Sequence, residues 1–255
     1  MNDCILVQAR TGSQRLKNKI LLKIQGKTVL EILISRLKKC KKIQNLIIVT
    51  TKKPKDDIIV KICKKNKIDF FRGSENNLIN RYYKCAKYFK VDNIVRITSD
   101  CVLIDPKIID KLYSVFKAKR LDYVSNTTPP NKSTFPDGTD VEIFSFNVLK
   151  KLNRVCKSKS DKEHLTDYIW RDSKFNTYTL KNKLDLSKFK YSLDYKSDYN
   201  SIKKIFNILK KKKKFGYMME VIKVVKKNKK ILSLMKHSRE MYLKNKKIND
   251  QLFIK

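Results

Sequence analysis

Short apolar runs alternate with longer amphipathic stretches along most of the chain. Cys4–Gln8 (CILVQ) is an apolar run closed by polar residues, and Asn45–Thr51 (NLIIVTT) is a β-branched run; both read as strands. Between them, Thr28–Lys39 sets Val29, Leu30, Ile32, Leu33, Ile34 and Leu37 at helical spacing behind Thr28, a capping residue. The pattern continues with a helix over Lys55–Asn66, a short strand at Asp69–Phe71 and a helix over Ser74–Lys90. Asn93–Thr98 is a strand ending in Ser99-Asp100, and Pro106–Lys119 is a helix with proline at its first position. Strands at Asp122–Ser125 and Asp140–Phe146 precede helices at Asn147–Cys156 and Asp161–Arg171. Phe175–Leu180 and Tyr191–Leu193 complete the predicted strands. Ser197 to Lys246 reads as helix with breaks near Gly216 and Asn228.

This alternation predicts an α/β fold: a three-layer, mostly parallel sheet with helices on both faces. Residues 1–210 make up the α/β domain, and 211–255 read as a C-terminal helical extension packed on it. Ligands of such sheets bind beyond the carboxyl ends of the strands, so chemistry is sought just after each strand. The 255 residues are 41% hydrophobic, too apolar for a disordered chain. No apolar run approaches the roughly 20 residues that span a bilayer, and MNDCILVQAR has no basic n-region or cleavage site. A soluble cytoplasmic protein without membrane contact is expected. Six cysteines without a C-x-x-C pair are read as buried free thiols, and two histidines make a zinc site a poor expectation.

Charge changes the picture less than its size suggests. The formal net charge is +37, from 61 Lys+Arg against 24 Asp+Glu. Lys supplies 51 of those cations, and Lys, Ile and Asn, all with AT-rich codons, are abundant together. Compositional bias therefore accounts for most of the charge, and the run Lys210–Lys214 reads as a solvated helix face. The ten Arg are the more informative cations, because bidentate recognition needs the planar guanidinium.

Two of those Arg follow the first predicted strand, in QARTGSQRLKNK. Ala9, Arg10, Gly12, Ser13, Arg15 and Lys19 combine a small-residue turn, whose amides form an anion nest, with three cations. This suits a polyphosphate, against the plainer reading of a basic surface loop. It matches neither G-x-x-x-x-G-K-[ST] nor G-x-G-x-x-G. Asp100 ends the fourth predicted strand, and Asp194 ends Tyr191-Ser192-Leu193 before a helix. Both are candidate Mg²⁺ ligands, with a turn or helix-cap aspartate as the alternative for Asp100.

These blocks together resemble the sugar-nucleotide cytidylyltransferases that activate 3-deoxy-manno-octulosonate and acylneuraminate with CTP. The nearest branch is the one named for spore coat polysaccharide biosynthesis protein F. VQARTGSQRLKNKIL is similar to the family's opening signature. FRGSENNLINRYYKCAKYF, DNIVRITSDCVLIDP, FPDGTDVEIFSF, KEHLTDYI, YSLDYKSDYNSI and the terminal KKILSLMKHSREMYLKN follow in the family's order. The resemblance implies a nucleotide-diphospho-sugar transferase-like domain that moves CMP from CTP to a sugar acid, for surface polysaccharide or glycan synthesis, and releases pyrophosphate. It implies that Arg10, Arg15 and Lys19 hold the CTP phosphates with the amides near Gly12 and Ser13, and that Asp100 and Asp194 bind Mg²⁺. Gly73, Ser74 and Arg81 would lie near base and ribose. Asp137, Asp140, Glu142 and His164 would line the acceptor side, with His164 equally readable as a core or helix-start histidine. A homodimer is also implied. Two departures stand out: Lys17-Asn18 replaces the family's Pro-Gly, and Val102 replaces a proline after the central aspartate.

Two other functions fit less well. A glycosyltransferase using a nucleotide sugar on a similar fold usually carries an Asp-x-Asp pair, and no two of the 18 Asp here are one residue apart. A nucleic-acid binder would cluster its cations with aromatics, whereas Lys is spread along the chain, so no specific nucleic-acid partner is expected.

Overall fold

The computed structural model describes residues 1–163 and 165–252, the side chains of 131, 159 and 246–252 excepted. The elements run β1 (Asp3–Gln8), β2 (Lys23–Ile24), β3 (Lys27–Thr28), α1 (Val29–Leu37), β4 (Asn45–Thr51), α2 (Asp57–Lys65), β5 (Asp69–Gly73), α3 (Leu78–Tyr88), β6 (Asn93–Thr98) and α4 (Pro106–Lys119). They continue with β7 (Tyr123–Ser125), β8 (Glu142–Ser145), α5 (Phe146–Val155), α6 (Lys159–Glu163), α7 (Asp167–Arg171), β9 (Thr177–Thr179), α8 (Lys196–Lys211), α9 (Met218–Lys226) and α10 (Lys229–Leu252).

Seven strands form one sheet in the order β5-β4-β1-β6-β8-β7-β9. β1 pairs in parallel with β4 and β6, β4 with β5, and β7 with β9; only β8 runs against its neighbours. Period-2 alternation divides the strands between two cores. Ile5, Val7, Ile48, Val95 and Ile97 face a layer built on α1, α2, α4, α8 and α9. Cys4, Leu6, Ile47, Val49 and Ile94 face α3, α5 and α7. The sheet is therefore buried on both sides, as the near-continuous apolar runs at β1 and β4 require.

Local capping follows the residues. Thr28 accepts from the Glu31 N–H at 3.2 Å while Glu31 accepts from the Thr28 N–H at 2.8 Å, a closed capping box at the start of α1. Asp105 caps α4 through the Lys107 N–H, and its other oxygen accepts from the Met218 N–H at 2.8 Å, joining α4 to the start of α9. Arg36 is buried and donates to the carbonyls of Leu103, Ile104, Phe215 and Gly216. The last helix is held by Asn245 donating to the Tyr195 hydroxyl at 2.7 Å and Arg239 to the Ser187 carbonyl at 3.3 Å.

Several predicted elements differ. Tyr191–Leu193 is no strand: the segment makes only an isolated parallel bridge, Asp137 with Lys190, and single backbone bonds from Tyr191 to Asp137 and from Leu193 to Asp100. Asp194 is therefore not at a strand tip. The helix over Asp161–Arg171 is two short helices on either side of residue 164. The helix over Ser74–Lys90 begins only at Leu78; Asn77 caps it and the Ser74 hydroxyl accepts from the Asn77 N–H. The β2–β3 hairpin was not predicted; its turn places Gln25 (φ 51°) and Gly26 (φ 81°) both in left-handed conformations, as a type I′ turn needs. All six cysteines are free and buried. No helix among the described residues is long and apolar enough to cross a membrane.

Candidate active site

The loop after β1 lies at the carboxyl edge of the sheet, beside the ends of β4, β5 and β6. Its first half is pinned from below. The Thr11 N–H and hydroxyl both donate to Asp56 Oδ1, at 2.8 and 2.7 Å, and the Thr51 hydroxyl donates to Asp56 Oδ2. Asp56 is fully buried and Thr11 nearly so. The Ser13 N–H turns back onto the Thr11 carbonyl at 2.9 Å, so of the two amides expected in the nest only that of Gly12 has no acceptor among the described residues. A side chain at Gly12 would meet the Lys55 ammonium at 2.8 Å. Arg10 is exposed at the loop's outer side, near Glu75, whose pKa is lowered by Lys53 first and by Lys55 and Arg10 as well. Asn18 adopts φ 53°, so it supplies the left-handed turn that the family places on Pro-Gly.

The second half of the loop carries the basic groups to two acids. The Lys19 ammonium lies 2.9 Å from Asp100 Oδ2 and 3.2 Å from Asp194 Oδ1, and Arg15 Nη2 lies 2.8 Å from the same Asp194 oxygen. Burial works against the charge on Lys19, but Asp100 and Asp194 hold its pKa above the ordinary value. Burial likewise pushes the Asp100 carboxyl up, and the Lys19 ammonium with hydrogen bonds from Thr98 and Lys19 more than reverses this, leaving it well below the usual range. Arg15, Lys19, Asp100 and Asp194 thus form one cluster from three separate stretches of chain.

Asp194 owes its position to groups that the sequence reading missed. Buried Lys190 reaches Asp194 Oδ2 at 3.5 Å and Asp198 Oδ2 at 3.3 Å, and Asp198 accepts from the Asp194 and Tyr195 N–H groups as it caps α8. The signal was present: Asp198 is an acid in the first turn of a predicted helix. Lys190 was hidden among the many lysines.

On the far side of Asp100 lie Asp137 and Asp140. Asp140 Oδ2 accepts from the Gly138 N–H at 2.8 Å and from the Cys101 thiol at 3.3 Å. Burial first, then repulsion by Asp140, pushes Asp137 up to about 7 against the pull of Lys190. Gly138 (φ +99°) is required between them, since a Cβ there would stand 2.5 Å from the Ser192 nitrogen. Glu142 also reaches this side, but its carboxylate is engaged: Arg96, Tyr123 and Thr166 all donate to it. Gly73 ends β5 and Ser74 follows it, and Arg81 packs over Gly73 with its Nη1 donating to the Ser74 carbonyl at 2.6 Å. Arg81 is buried, so it props the strand end from within. His164 lies outside the described residues.

Asp100 and Asp194 fit a divalent cation, because both turn an oxygen to one positive group although they come from unrelated segments. Among the described residues no three His, Cys, Asp or Glu form a metal cluster. Mg²⁺ needs none, since it is commonly held by one or two carboxylates together with substrate phosphates and water.

A sheet of this order with one reversed strand, and a basic loop facing acids at its carboxyl edge, defines the nucleotide-diphospho-sugar transferase-like class of α/β fold. The same fold is seen in CMP:2-keto-3-deoxy-manno-octonic acid synthetase complexed with CTP (TM-score 0.63, 13% identity, 81% of this chain and 99% of that one). The chain belongs to the cytidylyltransferase family, whose model matches residues 4–248. A cytidylyltransferase from Leptospira borgpetersenii is 35% identical, with a TM-score of 0.84 over 92% of this chain and 97% of that one. Spore coat polysaccharide biosynthesis protein SpsF of Bacillus subtilis is 29% identical over 215 residues, 81% of this chain and 87% of that protein. The uncharacterized protein MJ1063 of Methanocaldococcus jannaschii is 41% identical over 167 residues, and that match spans 66% of each, just under two thirds of the relative's length.

Proposed function

We propose that this protein transfers CMP from CTP to a hydroxyl of a sugar acid and releases pyrophosphate. One observation carries the reading: Lys19 joins Asp100 to Asp194 at the end of a loop that also bears Arg10 and Arg15. Family membership supports it, and so do the names of two similar proteins, SpsF and the CTP-complexed sugar-acid synthetase.

In this reading the CTP phosphates lie along the loop, met by the Gly12 amide and by Arg10, Arg15 and Lys19. Gly73 and Ser74 border the base and ribose, with Arg81 holding that strand end. Asp100 and Asp194 would hold Mg²⁺, which would neutralise charge on the phosphate oxygens. The acceptor hydroxyl oxygen bonds to the α-phosphorus, the α–β anhydride bond breaks, and pyrophosphate leaves with that electron pair. Asp140 Oδ1 receives no hydrogen bond from the described residues and stands ready for the hydroxyl proton. Positioning and charge neutralisation supply most of the rate. Arg15 and Lys19 serve the departing pyrophosphate when they exchange their aspartate partners for phosphate oxygens.

The test is pyrophosphate release from CTP against a panel of 2-keto-3-deoxy sugar acids, with ATP, GTP and UTP as controls. Arg10→Ala is expected to lose far more turnover than Lys210→Ala. Equal turnover of the two variants would overturn the assignment of the loop, and sugar transfer from a nucleotide sugar without pyrophosphate would overturn the reaction class.

A further inference from the structure

Arg96 does not belong to the sequence-derived site, yet it lines a cavity of about 230 Å³ at the carboxyl end of β6, together with Thr98, Thr127, Thr128, Asp140 and Asp167. Its guanidinium is fixed on two sides. Nε donates to Gln8 Oε1 at 3.2 Å, and Nη1 donates to Glu142, which the Tyr123 and Thr166 hydroxyls hold in turn. A guanidinium carries five N–H donors. Two are used and a third lies against the buried Tyr82 hydroxyl, so at least two have no acceptor among the described residues, on a side chain only 14% exposed. Those donors are not sealed off by the protein and open toward the cavity, where a ligand can meet them. A rigid planar fork matches a carboxylate.

The rest of the wall suits hydroxyl groups. The Thr98, Thr127 and Thr128 side chains offer donors and acceptors, and Asp140 and Asp167 offer acceptors. One cationic fork among hydroxyl-binding groups is the complement of a polyhydroxylated monocarboxylate. The two aspartates would repel a carboxylate at any other point of the wall, so the guanidinium also decides which end of the acceptor enters first.

We propose that Arg96 is a specificity-determining residue that receives the carboxylate of the acceptor sugar, held for that task by Gln8 and Glu142. The proposal rests on the sugar-acid reading above and names the contact that selects the acid.

The experiment measures pyrophosphate release at saturating CTP with 2-keto-3-deoxy-manno-octonate and N-acetylneuraminate, each beside its C1 carboxamide. A charge-assisted contact predicts that the full-length protein prefers the acid over its amide by roughly 10- to 100-fold in kcat/KM. R96Q should lose that factor on the acid through KM, keep its rate on the amide, and leave KM for CTP unchanged. Should R96Q alone fail to fold, because Glu142 is left without its cation, R96Q/E142Q restores a neutral hydrogen-bonded pair and should show the same loss of preference. Acid turnover with an unaltered acid-to-amide ratio in these variants, or equal losses on both, would overturn the role of Arg96 and leave the sugar-acid reading standing. Release with none of the acids would overturn both.

Discussion

Asp56 Oδ1 accepts both the backbone N–H and the hydroxyl of Thr11, across 45 residues of sequence. A buried carboxylate thereby fixes the start of the loop that faces the proposed triphosphate. Asp56→Ala leaves the Thr11 N–H and the Thr51 hydroxyl without an acceptor, and the Thr11 hydroxyl with only the Lys55 carbonyl at 3.5 Å, and is expected to raise the Kd for CTP by about tenfold and to lower Tm. Asp56→Asn keeps an oxygen toward Thr11, and the Thr51 hydroxyl can reverse its hydrogen bond, so it should recover most of the affinity. Calorimetric titration with CTP and a thermal melt of both variants check this. An Asn variant as weak as the Ala variant would show that charge, rather than loop position, matters at Asp56.

Lys19 stands between two acids, so its removal does more than delete a cation. Lys19→Met leaves Asp100 without its cation and Asp194 with only Arg15 and Lys190, and takes a donor from the phosphates. Loss of one preorganised charge of this kind costs about 100-fold in turnover. A steady-state assay at saturating CTP should show that loss, while Lys210→Ala, on the exposed lysine run, should retain the parent rate.

The α1 capping box makes a pH prediction. Hydrogen bonds from the Thr28 N–H, and then from Lys65, hold Glu31 down to about 2, below its ordinary 4.5. A depressed carboxylate pKa means that the unfolded chain binds the proton more readily. The stability it contributes is therefore complete above about 4.5 and is lost as pH falls from there toward about 2. Glu31→Gln should flatten this part of the acid-unfolding curve, and at neutral pH should cost about 1 kcal/mol, the usual scale of a cap. Denaturant melts between pH 2 and 7 measure both effects.

Arg36 ties the C-terminal helices to the body of the protein by donating to the carbonyls of Leu103, Ile104, Phe215 and Gly216. Burial pushes its pKa down to about 10, partly offset by Asp105, so it stays charged at neutral pH. Arg36→Met removes four donors at once and is expected to destabilise the fold by about 3 kcal/mol. Limited proteolysis should cut first near residues 212–217, which lose that clamp.

The strands Asn45–Thr51 and Asn93–Thr98 and the helix Pro106–Lys119 appear where the apolar pattern puts them, because buried parallel strands and amphipathic helices each leave a period in the sequence. Thr28 as the cap of α1 was equally legible, since a cap depends on its own neighbours. Tyr191–Leu193 was misread because its apolar residues are buried by loop packing with no ladder partner. The Gln25-Gly26 hairpin was missed because its strands are too short to show alternation.

Of the candidate site, the sequence alone determined the ingredients: the basic loop after β1, the acid at the end of β6, and the order of blocks that identifies the family. These are local or linear properties. Only the tertiary structure decided that Lys19 lies between Asp100 and Asp194, that Asp56 grips Thr11, that Lys190 supports Asp194, and that the Glu142 carboxylate is occupied by Arg96. Each of these pairs, apart from Lys190 with Asp194, joins segments far apart in the chain. Such contacts arise from strand order and helix packing, and leave no period or motif in one sequence. The same holds for charge: composition gave a total of +37, and the fold selected the few cations that meet carboxylates at the sheet edge.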